Sequence, residues 1–309
     1  MLTKRMLPLL ALILLLFTCS ACEDIFYEPA PQTNESGTFD GLFKDDPPEV
    51  TGEILADLRV HYIDVGQGDS TLIQLPNGQT MLIDGGKQSD SQKLLDYLKG
   101  MEIKSIDFLI ATHPHEDHIG GLPAVIKELD IRSIYMPRVE HTTRAFENLL
   151  LSIMDQGLSI NTAKSGVNIV TLPDLQIDIV APVGSAYNDM NNHSAVIKLT
   201  YKNKAFLFTA DAEGESEKQI TANIKSEVLK VGHHGGNTST TEDFLRKVAP
   251  EIAIISCGKD NSYGHPHKEL LDRLATAGAK VYRTDELGTI IITYDDGDWI
   301  TIETENAIR

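Results

Sequence analysis

Cysteine is nearly missing from this chain of 309 residues: Cys19 and Cys22 lie near the start and Cys257 alone lies beyond them. That leaves the body of the chain without an intramolecular disulfide and without the thiolate set that structural zinc sites favour. Positive charge is scarce too, with 27 Lys and Arg against 45 Asp and Glu and a formal net charge of −18. A surface this acidic excludes the general basic footprint of a protein that grips nucleic acid along its length, so an anionic substrate must be drawn by a local site. Long apolar runs are also lacking. After Leu7 to Phe17 no run is long enough to span a bilayer, which rules out a polytopic channel from the residues present.

What the first residues do contain reads as an export signal. Lys4 and Arg5 precede the short apolar stretch, and Ser20-Ala21 supplies small residues before Cys22. Residues 1–21 are expected to be a signal peptide and Cys22 a lipid-attachment site on the membrane, although Cys19 stands where a bacterial lipobox has an aliphatic residue; secretion without an anchor is the alternative. Residues 22–52 carry Pro29, Pro31, Pro47 and Pro48 among polar residues and are expected to be a flexible linker. The folded domain is expected over 53–309, long enough for one large layered core.

Within it, short apolar runs at 58–65, 71–75 and 80–83, broken by Pro76-Asn77-Gly78, read as a β-meander. Helical periodicity follows at 89–99, with Leu94, Leu95 and Leu98 on one face, and then again at 122–129 and 142–156, alternating with strands at 106–111 and 131–136. The second half brings strands at 167–172, 176–180, 194–201, 205–210, 228–231 and 252–256. Helices are expected at 213–222, 241–248 and 268–277, and closing strands at 280–283, 288–294 and 298–302. Two strand-rich halves, each with its helices, predict an α/β fold of four layers, an αβ/βα sandwich, with polar residues at the strand ends meeting at one edge.

The densest chemistry is His113-Pro114-His115-Glu116-Asp117-His118, directly after an apolar strand. Three imidazoles and two carboxylates in six residues are ligand types for Zn²⁺ and related ions, and Pro114 and Gly120-Gly121 suit a tight loop. Asp84 before Gly85-Gly86, His193 in an Asn-rich loop and Asp211 at a strand-to-helix junction each also read as a turn, a solvated side chain or a helix cap when taken alone.

Taken in order, Asp64-Val65-Gly66-Gln67-Gly68-Asp69, Ile83-Asp84-Gly85-Gly86, the His113–His118 loop, Asn191-Asn192-His193-Ser194, Thr209-Ala210-Asp211, His233-His234-Gly235 and Asn261-Ser262-Tyr263-Gly264-His265-Pro266 resemble the metallo-β-lactamase superfamily, and within it the hydrolase domain of ComEC-type competence proteins. The resemblance covers the folded domain from about residue 58 onward. It implies the four-layer fold and a dinuclear zinc centre, whose ligands are also compatible with Mn²⁺. His113, His115 and His193 would hold one ion, Asp117, His118 and His265 the other, and Asp211 would bridge, with Asp84 orienting the histidine loop. His267 competes with His265 as a ligand. The resemblance leaves open whether His233 or His234 supplies a ligand in place of His265 or acts on substrate; the favoured expectation is that one of the pair, His234 ahead of His233, stabilises the transition state or protonates the leaving group beside Asp117. His193 strengthens the first site relative to ComEC-like sequences, and Gly236 stands where many of them have a serine.

Two such ions activate water for hydrolysis. The expected function is therefore an exported, membrane-tethered phosphodiesterase or nuclease, with extracellular DNA as one substrate. A phosphorylcholine-type ester, a lactone or a β-lactam is the alternative, because the fold fixes the reaction class and the pocket fixes the substrate. A non-catalytic metal-binding lipoprotein is the reading from another class, disfavoured by seven His/Asp ligands with an open bridge.

Overall fold

The structure, a computed structural model, describes residues 39–45, 50, 52–54, 56–295 and 300–305. The expected signal peptide, Cys22 and most of the expected linker lie outside the described residues. In chain order the first half holds β1 (Leu58–Tyr62), β2 (Thr71–Gln74), β3 (Thr80–Ile83), α1 (Ser91–Gly100), β4 (Ser105–Ile106), β5 (Phe108–Ile110), α2 (Glu116–Ile119), α3 (Leu122–Glu128), β6 (Asp130–Ile131), β7 (Ile134–Met136), α4 (Arg144–Asp155) and β8 (Ile160–Thr162). The second half holds β9 (Val167–Leu172), β10 (Leu175–Ala181), β11 (Val196–Tyr201), β12 (Lys204–Phe208), α5 (Gly214–Gln219), β13 (Val228–Lys230), α6 (Glu242–Val248), β14 (Ile252–Ile255), α7 (Lys268–Thr276), β15 (Lys280–Arg283), α8 (Thr284–Leu287), β16 (Ile290–Tyr294) and β17 (Ile300–Thr304).

Two sheets result, ordered β17-β16-β1-β2-β3-β5-β7-β8 and β15-β14-β13-β12-β11-β10-β9, with β4 and β6 forming a small separate pair. Alternation along each strand sorts side chains into layers. Register puts Ile73 beside Met81 and Met81 beside Phe108, and these face Ile177, Leu199, Phe206 and Val228 of the other sheet in the central core. Their strand neighbours Leu72, Leu82, Leu109 and Ile134 face outward instead, under Leu94 and Leu98 of α1, Val125 of α3 and Leu149 of α4. On the second sheet the outward row Leu207, Leu229 and Ala253 lies under Phe244 of α6 and Leu270 and Leu274 of α7. The four-layer αβ/βα arrangement expected from the sequence is the observed one.

Local chemistry sets the helix ends. Thr143 and Thr241 take the N-cap positions of α4 and α6, accepting from the Phe146 and Phe244 amides, so both helices start slightly later than periodicity alone predicts. Residues 39–45, inside the expected linker, are docked instead. Phe39, Leu42 and Phe43 pack against the helix-side core, Phe43 bridges to Ile160, and Asp45 accepts from the Thr162 amide. Phe39 and Leu42 of a one-turn helix, with Phe43 directly after it, are the apolar anchors of this otherwise polar stretch. No helix among the described residues is long and apolar enough to cross a membrane.

Polarity inside the fold brings a pH dependence. His61 on β1 is 1% exposed and lies between Tyr97 and Gln74: its Nε2 is 3.0 Å from Gln74 Oε1, which only accepts, so Nε2 carries the hydrogen and Nδ1 accepts from the Tyr97 hydroxyl at 2.8 Å. Burial pushes its pKa from 6.5 down to about 4. Between those values the unfolded chain binds a proton that the folded chain refuses, so stability falls as pH falls through the window, by on the order of 3 kcal/mol in all. Urea unfolding at pH 7 and pH 4.5 is expected to show a smaller acid-induced loss in His61→Gln than in wild type; equal losses would remove His61 from the account.

Candidate metal centre

Parallel pairing carries the site residues to one edge. β3, β5, β12 and β13 release Asp84, the histidine loop, Asp211 and the His233-His234 pair from their C-terminal ends. Asp84, Ala210, His233 and His234 all take the left-handed backbone conformation (φ between 45° and 58°), a strained geometry for side-chain-bearing residues that concentrates at functional sites. Part of the histidine stretch, expected as a loop, is the helical turn α2, and Gly121 is needed there because a Cβ would stand 2.1 Å from the Gly85 carbonyl oxygen.

Asp211 is the hub. Its Oδ2 lies 3.2 Å from His118 Nε2, 3.6 Å from His234 Nε2 and 3.8 Å from His113 Nε2. Two groups of donor atoms share it, each drawn together within 4.8 Å: His113, His115 and Asp211, and Asp69, His118, Asp211 and His234; within the second, Asp69 meets His234 at Nδ1, the ring nitrogen turned away from Asp211. Asp117 adds an oxygen 3.3 Å from His234 Nε2.

Hydrogen bonds fix which nitrogen each ring offers. Thr112 gives its one hydroxyl hydrogen to Asp84 Oδ2 at 2.6 Å, so toward His113 Nδ1, 3.2 Å away, it only accepts, and His113 Nε2 is left as a lone pair, 3.1 Å from His115 Nδ1 and 3.8 Å from Asp211 Oδ2. Asp84 takes the Thr112 amide (2.9 Å) and holds His118 Nδ1 at 2.8 Å, which turns His118 Nε2 toward Asp211. In the buried centre His118 Nε2, His234 Nε2 and Asp211 Oδ1 have no hydrogen-bond partner. Asp69 Oδ1 and His265 Nδ1 nearby are unpaired as well; unpaired buried polar atoms are rare, and a group of them around Asp211 fits divalent cations bound by nitrogen and oxygen donors. The donor arrangement is of the dinuclear type.

The buried carboxylates set the charge of the centre. Burial opposes a positive charge on His118, yet the carboxylates of Asp211 and Asp84 outweigh it and hold its pKa well above the ordinary value. Burial likewise opposes charge on His234, and Asp211 and Asp69 raise it to about 10. His113 goes the other way, held well below the ordinary value by burial and by the neighbouring His118.

Two expected ligands are not in the converging set. His193 ends a one-turn helix pinned by Asp189 at the Asn191 amide and by Asn192, whose Oδ1 accepts from the amides of Glu213 and Ser216; its ring packs edge-on against Tyr187 at 4.9 Å. His265 is half-buried, 6.3 Å from the His234 ring and stacked on Tyr263 at 5.7 Å. His234, expected to act on substrate, stands among the donors instead. The left-handed pair turns consecutive rings in different directions, and spacing from Asp211 along the sequence carries no trace of that. His267 contacts His265 edge-on and accepts from the Asn237 amide through Nδ1.

His233 keeps the outward position. Its Nδ1 is 3.0 Å from Glu213 Oε1, its Nε2 is 3.9 Å from Asp211 Oδ2, and its side chain is 27% exposed. It lines a cleft of about 340 Å³ with His115, Glu116, Asp117, Asp211, His234 and His265, where Gln67, Tyr263 and Lys87 complete the wall. Sequence reasoning did not single out Asp69, Lys230 or Glu213. Asp69 stands in the Gly66-Gln67-Gly68-Asp69 motif and so could have been found, whereas Lys230 sits inside an apolar strand and Glu213 beside a helix start, with no signal of their own.

Residues 63–259 match the family described as the metallo-beta-lactamase superfamily. The chain is 33% identical over 256 residues to ComE operon protein 3 of Bacillus subtilis, covering 76% of this chain and 33% of that protein. It is 31% identical over 241 residues to Recombination protein 2 of Haemophilus influenzae, covering 76% and 29% respectively. To Competence protein ComA of Neisseria gonorrhoeae it is 29% identical over 232 residues, covering 74% and 31%. The matched region thus spans about a third of each relative's length.

Proposed function

The chain belongs to the metallo-β-lactamase superfamily, and from that premise we propose that it is a dinuclear metal hydrolase, zinc-loaded, that cleaves phosphodiesters. The observation that carries the proposal is Asp211, one buried carboxylate facing two donor groups. His113 and His115 would serve one ion, His118, His234 and Asp117 the other, and Asp211 both; Asp84 holds His118 in register. Bound there, the cations would supply Lewis acidity and activate water near neutral pH. The residues do the rest. His233, backed by Glu213, stands outside the donor set at the cleft wall, where a protonated imidazole can stabilise a phosphoryl oxygen or give its proton to the leaving group.

Relatives named for competence and recombination support a phosphodiester of DNA. The wall of the cleft favours a small or single phosphoester as the second reading, because Lys87 is its one Lys or Arg side chain against Glu116, Asp117 and Asp211. The proposed address has residues 1–21 as an export signal and Cys22 as a membrane anchor ahead of the hydrolase domain, with secretion without an anchor as the alternative.

The test is the full chain, metal-loaded, against bis-p-nitrophenyl phosphate, single- and double-stranded DNA, p-nitrophenyl phosphorylcholine and nitrocefin. Turnover of the phosphodiesters is expected. Hydrolysis of nitrocefin alone would overturn the phosphodiesterase reading, and metal uptake without turnover of anything would point to a binding protein.

A further inference from the structure

Two imidazoles reach Asp211 from opposite sheets, and each has a carboxylate at its far nitrogen. On the first sheet that carboxylate is Asp84, behind His118. On the second, His234 Nδ1 lies 3.1 Å from the Ser256 carbonyl oxygen and 3.2 Å from Asp69 Oδ1. Both neighbours are acceptors, so Nδ1 carries a hydrogen and Nε2 is the atom that faces Asp211 and Asp117.

Asp69 does not stand alone. Lys230 Nζ is 2.8 Å from its Oδ2 and donates also to the Val231 carbonyl at 3.0 Å. Asp69 is 4% exposed and Lys230 2%. Lys230 ends β13 of the second sheet and Asp69 sits in the loop after β1 of the first, so the ion pair crosses between the sheets. Backbone bonds tie Asp69 into the histidine loop: its amide donates to the Asp117 carbonyl at 3.1 Å and its carbonyl accepts from Gly86 at 2.8 Å. Gly68 permits the approach, since a Cβ there would stand 2.4 Å from the Asp117 carbonyl oxygen. Neither Asp69 nor Lys230 lines the cleft.

A buried ion pair is a poor device for stability, because apolar residues of similar volume often serve as well or better. We propose that Asp69 and Lys230 are positioning residues for His234: Lys230 holds the Asp69 carboxylate 3.2 Å from Nδ1, beside the Ser256 carbonyl that accepts the Nδ1 hydrogen, and His234 Nε2 is thereby presented to the cation it would share with Asp211. An outer carboxylate orients an imidazole ligand and raises its basicity, and its loss typically weakens metal affinity by about 10–100-fold. The proposal rests on the two-metal reading of the site.

The experiment compares full-length wild type with Asp69→Leu/Lys230→Met, in which the pair is replaced by apolar side chains. The metal-free variant is expected to melt cooperatively close to wild type. In calorimetric zinc titrations it keeps one equivalent at wild-type affinity and binds the second about 10–100-fold more weakly. Asp69→Asn/Lys230→Met, which restores an acceptor oxygen at Nδ1, is expected to recover part of that loss. Two equivalents bound by the apolar variant at wild-type affinity would overturn the proposal. Should the variants fail to fold, nitrogen-15 spectra of the zinc-loaded wild type decide: ligation of His234 through Nε2 with Nδ1 protonated supports the proposal, and any other state overturns it. A wild type that takes up no second equivalent sinks the two-metal reading, and this proposal with it.

Discussion

Replacing Asp211 by alanine is expected to leave a folded chain that no longer holds two metal equivalents and no longer hydrolyses. The reason is geometric. Asp211 is 2% exposed, and a single oxygen of its carboxylate stands within 3.8 Å of Nε2 atoms from His113, His118 and His234, so both donor groups lose a member at once. The fall in kcat should exceed the roughly 10–100-fold that removing an outer partner costs, reaching about a thousandfold or more. Asp211→Asn keeps the shape and removes the charge, and it should fail nearly as badly. Elemental analysis, circular dichroism and the rate on bis-p-nitrophenyl phosphate report the three parts separately; an alanine variant with two metals and a tenth of wild-type activity would refute the bridging role.

The second large effect separates His234 from its neighbours. His234→Ala should lose one metal equivalent and activity together, because its Nε2 is buried, unpaired and directed at Asp117 and Asp211. His265→Ala should keep both equivalents, since its ring sits outside the converging donors and stacks on Tyr263. His233→Ala should keep both equivalents as well but lower kcat by about 10²–10⁴-fold, the usual contribution of a positioned acid or base. Loss of a metal from His265→Ala, with His234→Ala unaffected, would restore the assignment that sequence spacing favours.

The layers were legible because alternation and helical period record which face of an element is buried, as with Leu72 and Leu82 outward and Ile73 and Met81 inward. The histidine loop was legible because its donors are adjacent in sequence. Residues brought together only by backbone direction were not. His234 stands in the converging donor group and His265 outside it, and the backbone there has two consecutive left-handed residues, a conformation that no period encodes. Lys230 is hidden in an apolar strand, and its partner Asp69 stands 161 residues away. Phe39, Leu42 and Phe43 belonged to a stretch whose overall polarity masked three well-spaced anchors.

The donor groups around Asp211 draw His113, His115 and His118 from one sheet and Asp211 and His234 from the other, with Asp117 beside them. Neither half of the chain therefore holds a complete donor group for the second ion until the sheets have docked. Cation binding and closure of the sandwich draw on the same equilibrium: an ion at a hundred times its dissociation constant adds about 2.7 kcal/mol to the docked state. Chelation should accordingly loosen the seam between the sheets before it disturbs either sheet alone, so that amide exchange along β3 and β12 becomes a gauge of metal occupancy.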